Sequence, residues 1–329
     1  MKKQFKTWFN FYLILASIVA SVSLHASTPV SEDTSIDLST PLRELEYYDS
    51  LYQVEQRTPP PQTDGVIDYL YQGRLNLYEK ETDQDLEVEF AFYSPVNHNE
   101  KLIVITPNID GITPLENRLR NVLMENNYNV LIIKSLPIEL EFDETTCDQM
   151  ERLTIRAIVS TRRAIEFLSQ TNRFHMDSMG LLGASLGGIR SSILFGLDHR
   201  FKSIFVAVAG SDFPSLYATS LNTVIAPLRR DHMAYMEMTD PKDYENYLRE
   251  NLYLDPSMAV KSPHLENFHM LISDDDNVVP TWNQWNLWRE IRDAGVHPRT
   301  YQTDYTHVPA ALKMLMYTDD MLRLFDRTL

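Results

Sequence analysis

The stretch Gly183-Ala184-Ser185-Leu186-Gly187 sets a hydroxyl between two glycines. An apolar run from Met179 to Leu182 precedes it, and a helix-like stretch from about Gly188 to Phe195 follows. Those flanks predict a short buried strand running into a helix, with Ser185 on the sharp turn between them. Gly183 and Gly187 lack Cβ atoms, so backbone segments can close in there while the hydroxyl stands exposed. A serine placed this way is a candidate nucleophile. The amide of Leu186, at the helix N-terminus, is then free to donate to a developing oxyanion. The chain has only 10 glycines in 329 residues, so a chance Gly-x-Ser-x-Gly is rare. The competing reading is a glycine-rich turn that holds a structural serine.

A serine hydroxyl is a weak nucleophile near neutral pH and needs a base, which in turn needs an orienting carboxylate. For a nucleophile on a strand-to-helix turn the expected chain order is Ser, then Asp or Glu, then His. Downstream, His269-Met270-Leu271-Ile272 reads as a buried strand, followed by Ser273-Asp274-Asp275-Asp276-Asn277-Val278-Val279-Pro280. Three aspartates compete in that loop, with Asp212 as a weaker candidate elsewhere. Only His297 and His307 follow the acid. His297, in Gly295-Val296-His297-Pro298, reads as a turn before a strand at 299–303. His307 follows that strand, in a loop that can swing it over the sheet edge, and is the expected base. Cys147 is the single cysteine, so no intrachain disulfide forms, and its reading is structural.

The element order positions these groups. Strands are expected at 74–79 and 86–93, the second alternating as an antiparallel pair would. Buried strands follow at 102–106, 130–134, 178–182, 203–207 and 269–272, separated by helical patterns at about 115–126 and 150–170. A final helix is expected at about 309–327. Strand alternating with helix means a mostly parallel, doubly wound α/β sheet with its reactive loops at the strand C-termini. The interval 213–262 is longer than a minimal crossover and rich in Leu, Met and Tyr, and is expected to form a small lid or pocket wall. The alternative is one crossover helix with surface packing.

These residues resemble the α/β-hydrolase superfamily over about residues 67–329. Ser160 to Leu168, through Gly188, together with Leu197 to Lys202, is loosely similar to the prolyl-oligopeptidase, dienelactone-hydrolase and acetyl-xylan-esterase branches. The resemblance implies Ser185 as nucleophile, His307 as base and Asp276 as acid, since Asp276 stands in the Asp-x-x-Val-Pro arrangement of such enzymes. It also implies Leu186 as one oxyanion donor and a second from the loop after Thr106. Many relatives carry His-Gly there, whereas this chain carries Pro107-Asn108-Ile109-Asp110-Gly111. The candidates are therefore the Asn108 and Ile109 amides and the Asn108 side chain. Asp110 is expected to point away or to cap the following helix.

Composition bounds the rest. A net charge of −16 argues against a nucleic-acid partner. Apolar content of 43 % suffices for a large core. Residues 1–26 read as a signal peptide: Lys2, Lys3 and Lys6, then an apolar stretch from Phe11 to Val22 and small residues at the cleavage region. An uncleaved membrane anchor is the alternative there. Its removal takes three lysines and no acid, moving the charge from −16 to −19. Residues 27–66 read as a leader or docked arm, with Leu42, Leu45, Tyr48 and Leu51 at helical spacing. No cofactor, phosphate loop or metal site is expected, and a monomer is the default. The expected function is an exported, periplasmic or secreted serine hydrolase, a carboxylesterase acting on a small or oligomeric ester. A serine peptidase or thioesterase of the same fold, and a non-catalytic exported binding protein, are the alternatives.

Overall fold

The structure, a computed structural model, describes residues 67–79, 84–134, 140–260 and 266–329. The signal peptide expected at 1–26 and the arm expected at 27–66 lie outside the described residues.

Apolar strand sequences and the helices between them build one eight-stranded sheet, ordered β1-β2-β4-β3-β5-β6-β7-β8. The strands are β1 (Ile67–Glu79), β2 (Gln84–Pro95), β3 (Leu102–Thr106), β4 (Asn129–Ile133), β5 (Met179–Ala184), β6 (Phe201–Ala207), β7 (Phe268–Ser273) and β8 (Arg299–Thr303). β1 and β2 form an antiparallel hairpin, and β2 joins β4 antiparallel. The remaining pairings, from β4 across to β8, are parallel. Strands β3 to β7 are apolar along almost their whole length because helices cover both faces. Both hairpin strands run longer than expected: pairing from Ile67 with Pro95 to Glu79 with Gln84 carries polar residues into the ladder that local pattern leaves out.

One face buries Val104, Leu181, Ile204, Val206, Met270 and Ile272 under α2 (Thr146–Ser169), α3 (Leu186–Leu197) and α8 (Thr281–Asp293). The other buries Ile103, Ile105, Leu182, Phe205 and Leu271 under α1 (Pro114–Glu125) and the C-terminal helices. The last helix is not continuous. It is α9 (His307–Lys313), a 3-10 turn at Met314–Tyr317, and α10 (Thr318–Thr328). Met314, Met321, Leu324 and Phe325 are all buried against this face of the sheet. Helix α1 begins with a full capping box from Thr113 and Glu116, so Asp110 is not its cap. Between β6 and β7 the described residues form four helices: α4 (Phe213–Thr219), α5 (Ile225–Tyr235), α6 (Pro241–Asn251) and the short α7 (Pro256–Ala259). This is more than one crossover helix.

Candidate active site

Ser185 sits where the central strand β5 turns into α3, at φ 55° and ψ −128°. A side chain rarely adopts that backbone region, and such strain persists only where surrounding contacts over-determine it. The contacts are close. A Cβ on Gly183 would lie 2.6 Å from the Gly187 carbonyl, and one on Gly187 would lie 2.1 Å from the Thr106 carbonyl. Thr106 completes the clamp, its hydroxyl donating to Gly187 O at 2.7 Å. The Ser185 amide donates to Ala207 O at 2.9 Å, tying the turn to the end of β6.

His307 is the first residue of α9 and Asp276 lies in the β7–α8 loop. His307 Nδ1 is 2.6 Å from Asp276 Oδ2, and Nε2 is 2.9 Å from Ser185 Oγ. The three residues are brought together across 122 and 31 positions of sequence. A carboxylate can only accept, so Nδ1–H donates to Asp276 and Nε2 is left to accept the serine proton. The Asp276 side chain is fully buried and its hydrogen bonds are saturated. Oδ1 accepts from the amides of Val278 at 2.8 Å and Val279 at 3.1 Å. Oδ2 accepts from Gln284 Nε2 at 2.9 Å as well as from His307. The spacing from Asp276 to Val279 thus acts through the backbone: the chain curls so that two amides meet one oxygen.

The loops bearing Asp276 and His307 are strapped together. Ser273 Oγ donates to Tyr305 O, two residues before His307, and the Asp274 amide donates to Thr303 O at 2.7 Å. Thr281 Oγ1 donates to Ser273 O and accepts from the Asp276 amide. The other candidates lie outside this cluster. Asp212 caps α4 and pairs with Arg249 at 2.9 Å. Asp274 is exposed and not joined to His307, and so is Asp275, whose amide instead donates to Ser273 Oγ.

Leu186 is the first residue of α3, one of the amides a helix N-terminus leaves without an intrahelical acceptor. After β3 the chain turns sharply, with Gly111 N donating to Asn108 O at 3.1 Å and Gly111 at φ 83°. The Asn108 side chain braces this turn: its oxygen accepts from the Asp110 amide at 2.7 Å and its nitrogen donates to Glu116 at 3.4 Å. Ile109, unlike Asn108, lines the cavity beside Ser185 and Leu186.

That cavity has about 70 Å³ of space. Ile109, Met150, Leu153, Ile189, Leu216 and Ile225 give it an apolar wall, and α4 and α5 supply much of one side. Two arginines, Arg190 and Arg229, also line it, as does His232. Sequence reading missed Gln284, Arg190 and His232 as site residues. Nothing local marks them, because a polar residue in a helix reads as solvated until the packing is known. Among the described residues no cluster of His, Cys, Asp and Glu could hold a metal, and no helix is long and apolar enough to cross a membrane. Cys147 is buried near the start of α2, and burial pushes its thiol up to about 11, away from reactive thiolate chemistry.

No protein-family model matches the sequence, and no curated protein does. Solved structures do resemble this one. An acetyl xylan esterase from Paenibacillus sp. R4 matches with a TM-score of 0.64 at 13 % identity, over 91 % of this chain and 97 % of that one. Acetyl xylan esterase 1 from Thermoanaerobacterium sp. JW/SL YS485 matches with a TM-score of 0.62 at 12 % identity, over 88 % and 99 %. An acylaminoacyl peptidase from Pyrococcus horikoshii matches with a TM-score of 0.56 at 14 % identity, over 81 % and 48 %. The fold is that of the α/β-hydrolases, and at such identities the likeness is one of fold.

Proposed function

We propose that this protein is an exported serine carboxylesterase that works through Ser185, His307 and Asp276 by way of an acyl-enzyme. The single observation that carries the reading is the relay Ser185 Oγ, His307 Nε2, His307 Nδ1, Asp276 Oδ2, with its two gaps of 2.9 and 2.6 Å. In this reading His307 takes the Ser185 proton as Oγ attacks the ester carbonyl. Asp276 fixes the ring tautomer and stabilises the imidazolium. The Leu186 and Ile109 amides hold the oxyanion, each worth a factor of about 10²–10³ in rate. His307 then protonates the leaving alcohol, and water repeats the sequence on the acyl-enzyme.

His307 does not line the cavity that opens beside Ser185 and Ile109, yet the leaving group must lie at His307 Nε2. The cavity is therefore the acyl side, and helices α4 and α5 wall it. A water needs about 10–15 Å³ of such space. The volume of about 70 Å³ thus suits a short acyl chain better than a fatty one. The structural neighbours named as acetyl xylan esterases are consistent with a small acyl group. Export rests on residues 1–26 and is checked by N-terminal sequencing of protein from fractionated cells.

The test is hydrolysis of p-nitrophenyl acetate, butyrate and octanoate beside Ser185→Ala, together with fluorophosphonate labelling. Turnover of the short esters that vanishes in the variant is expected. No turnover and no label on Ser185 would refute the esterase reading and favour the binding-protein alternative.

A further inference from the structure

Arg190 is five residues beyond Ser185 on α3, and its side chain is buried, with 7 % of the residue exposed. It lines the cavity next to Ser185 and also a narrow cleft against Thr106 and Ser160. Its guanidinium makes no ion pair among the described residues, and its buried Nε has no hydrogen-bond partner. The titratable group it feels is Tyr217, a phenol that burial pushes up to about 12 and so keeps neutral. Arg229, across the same cavity, donates to the carbonyls of Tyr217 and Ser220 at 3.2 and 2.8 Å, again with no carboxylate. His232 adds a second partnerless polar atom, its buried Nε2, to the same wall, while Nδ1 meets Tyr244 Oη at 3.0 Å. No aspartate or glutamate stands among the described residues lining this cavity.

A buried cation without a countercharge is costly, and burial pulls Arg190 down to about 10, which still leaves it charged at neutral pH. A bridging water satisfies a hydrogen bond but leaves the charge uncompensated. A chain with a net charge of −16 has many acids available, yet among the described residues these two arginines meet none of them. The arrangement makes sense if the countercharge arrives with the substrate.

We propose that Arg190 selects an acyl group whose far end carries a carboxylate, so that the esters hydrolysed here are half-esters of short dicarboxylic acids. This rests on the esterase reading of Ser185. Ser185 and Arg190 line one cavity of about 70 Å³, which suits an acyl chain of about two to four carbons between the carbonyl and the carboxylate. Guanidinium and carboxylate are matched in planar, bidentate geometry. The net step stays a hydrolysis: the acyl C–O bond breaks, water supplies the new acyl hydroxyl and the proton on the alcohol, and a dicarboxylate leaves.

The experiment compares kcat/KM for monoethyl succinate, glutarate and adipate with their neutral amide counterparts, such as ethyl 4-carbamoylbutyrate. Wild type, Arg190→Met and Arg190→Lys are assayed together, with folding checked by circular dichroism. A charge-assisted hydrogen bond predicts a preference of about 30-fold for the anionic ester in wild type. That preference falls below about threefold in Arg190→Met and is intermediate in Arg190→Lys. Equal turnover of anionic and neutral esters by wild type, or a preference that survives Arg190→Met, overturns the proposal while the esterase reading stands. If no ester turns over, calorimetry of monoethyl glutarate on Ser185→Ala and on Ser185→Ala/Arg190→Met decides instead. Binding that Arg190→Met weakens at least tenfold supports the anion site, and equal or absent binding overturns it. Fluorophosphonate labelling of wild type reports separately on Ser185.

Discussion

Replacing Gly187 by alanine tests whether the turn after β3 supplies an oxyanion donor. The new Cβ would lie 2.1 Å from the Thr106 carbonyl oxygen and 2.8 Å from that of Pro107, both backbone atoms that cannot rotate aside. Ordinary contact begins at 3.4 Å, so the strand end and its loop must retreat by about 1.3 Å. The 2.7 Å bond from Thr106 to Gly187 O is strained by the same motion. Ile109 rides on that loop, three residues from Thr106. An N–H donor works between about 2.7 and 3.2 Å, so a setback of about 1 Å removes it. The expected loss is about 10²–10³ in kcat. KM should move far less, because the donor acts mainly on the charge that develops in the transition state. The assay is steady-state hydrolysis of p-nitrophenyl acetate well below the melting temperature, with circular dichroism to confirm folding. A folded Gly187→Ala protein with kcat within about threefold of wild type would show that the Thr106–Ile109 loop supplies no donor.

Asp276→Asn keeps the size of the side chain but no longer fixes the imidazole tautomer or stabilises its cation, so kcat should fall by about 10³–10⁴ at pH 7, and because its amide nitrogen must face buried N–H donors on either side the melting temperature should fall as well; unchanged kcat would remove Asp276 from the mechanism. Gln284→Leu strips one donor from Asp276 Oδ2 and unpairs the Ser273 amide and Val279 carbonyl, so it should cost about 2–4 kcal/mol by denaturant titration and lower kcat as well. His269 is held down to about 4, chiefly by burial. A histidine whose folded pKa lies below its unfolded value of about 6.5 favours folding above 6.5. That contribution is lost as the pH falls from 6.5 toward 4, because the unfolded chain binds the proton first. Melting curves between pH 7.5 and 4.5 should therefore decline less steeply for His269→Leu than for wild type, and parallel slopes would exclude this residue as a source of the acid sensitivity.

Much of the scaffold was readable before any coordinates. The strands at 102–106 and 299–303 coincide with β3 and β8, and the other parallel strands differ by one or two residues at their ends. β3 to β7 are legible because burial on both faces demands continuous apolar runs, whereas β8, Arg299–Thr303, is a polar edge strand. The relay was legible too, since strand C-termini are where short loops can converge and chain order limits the candidates. Pattern failed where a tertiary partner decides. The hairpin β1–β2 extends through polar residues because each strand supplies the other's hydrogen bonds. The last helix is interrupted by a 3-10 turn at Met314–Tyr317, which the apolar periodicity running through it does not mark. Gln284 and Arg190 look like ordinary helical polar residues, and only packing shows that both are turned inward.

Gln284 and Arg190 are buried polar residues with opposite fates, and the contrast bears on what each does. Gln284 spends both its side-chain atoms on the scaffold: its oxygen accepts from the Ser273 amide at 2.9 Å, and its nitrogen donates to Asp276 and to Val279 O at 2.9 and 2.8 Å. A satisfied buried group of this kind makes the acid loop rigid and stabilises it. Arg190 makes no ion pair among the described residues, and its Nε lacks a partner. Rigidity and satisfaction on the acid side of Ser185, with an unsatisfied cation on the acyl side, is the division expected of a site that fixes its catalytic groups in advance and completes its electrostatics only when substrate enters. A scaffold retained for binding alone would have no use for the 2.6 Å contact between a buried carboxylate and His307. A general esterase would gain stability by replacing Arg190 with methionine. The two features together argue for a hydrolase with a narrow, charged acyl preference.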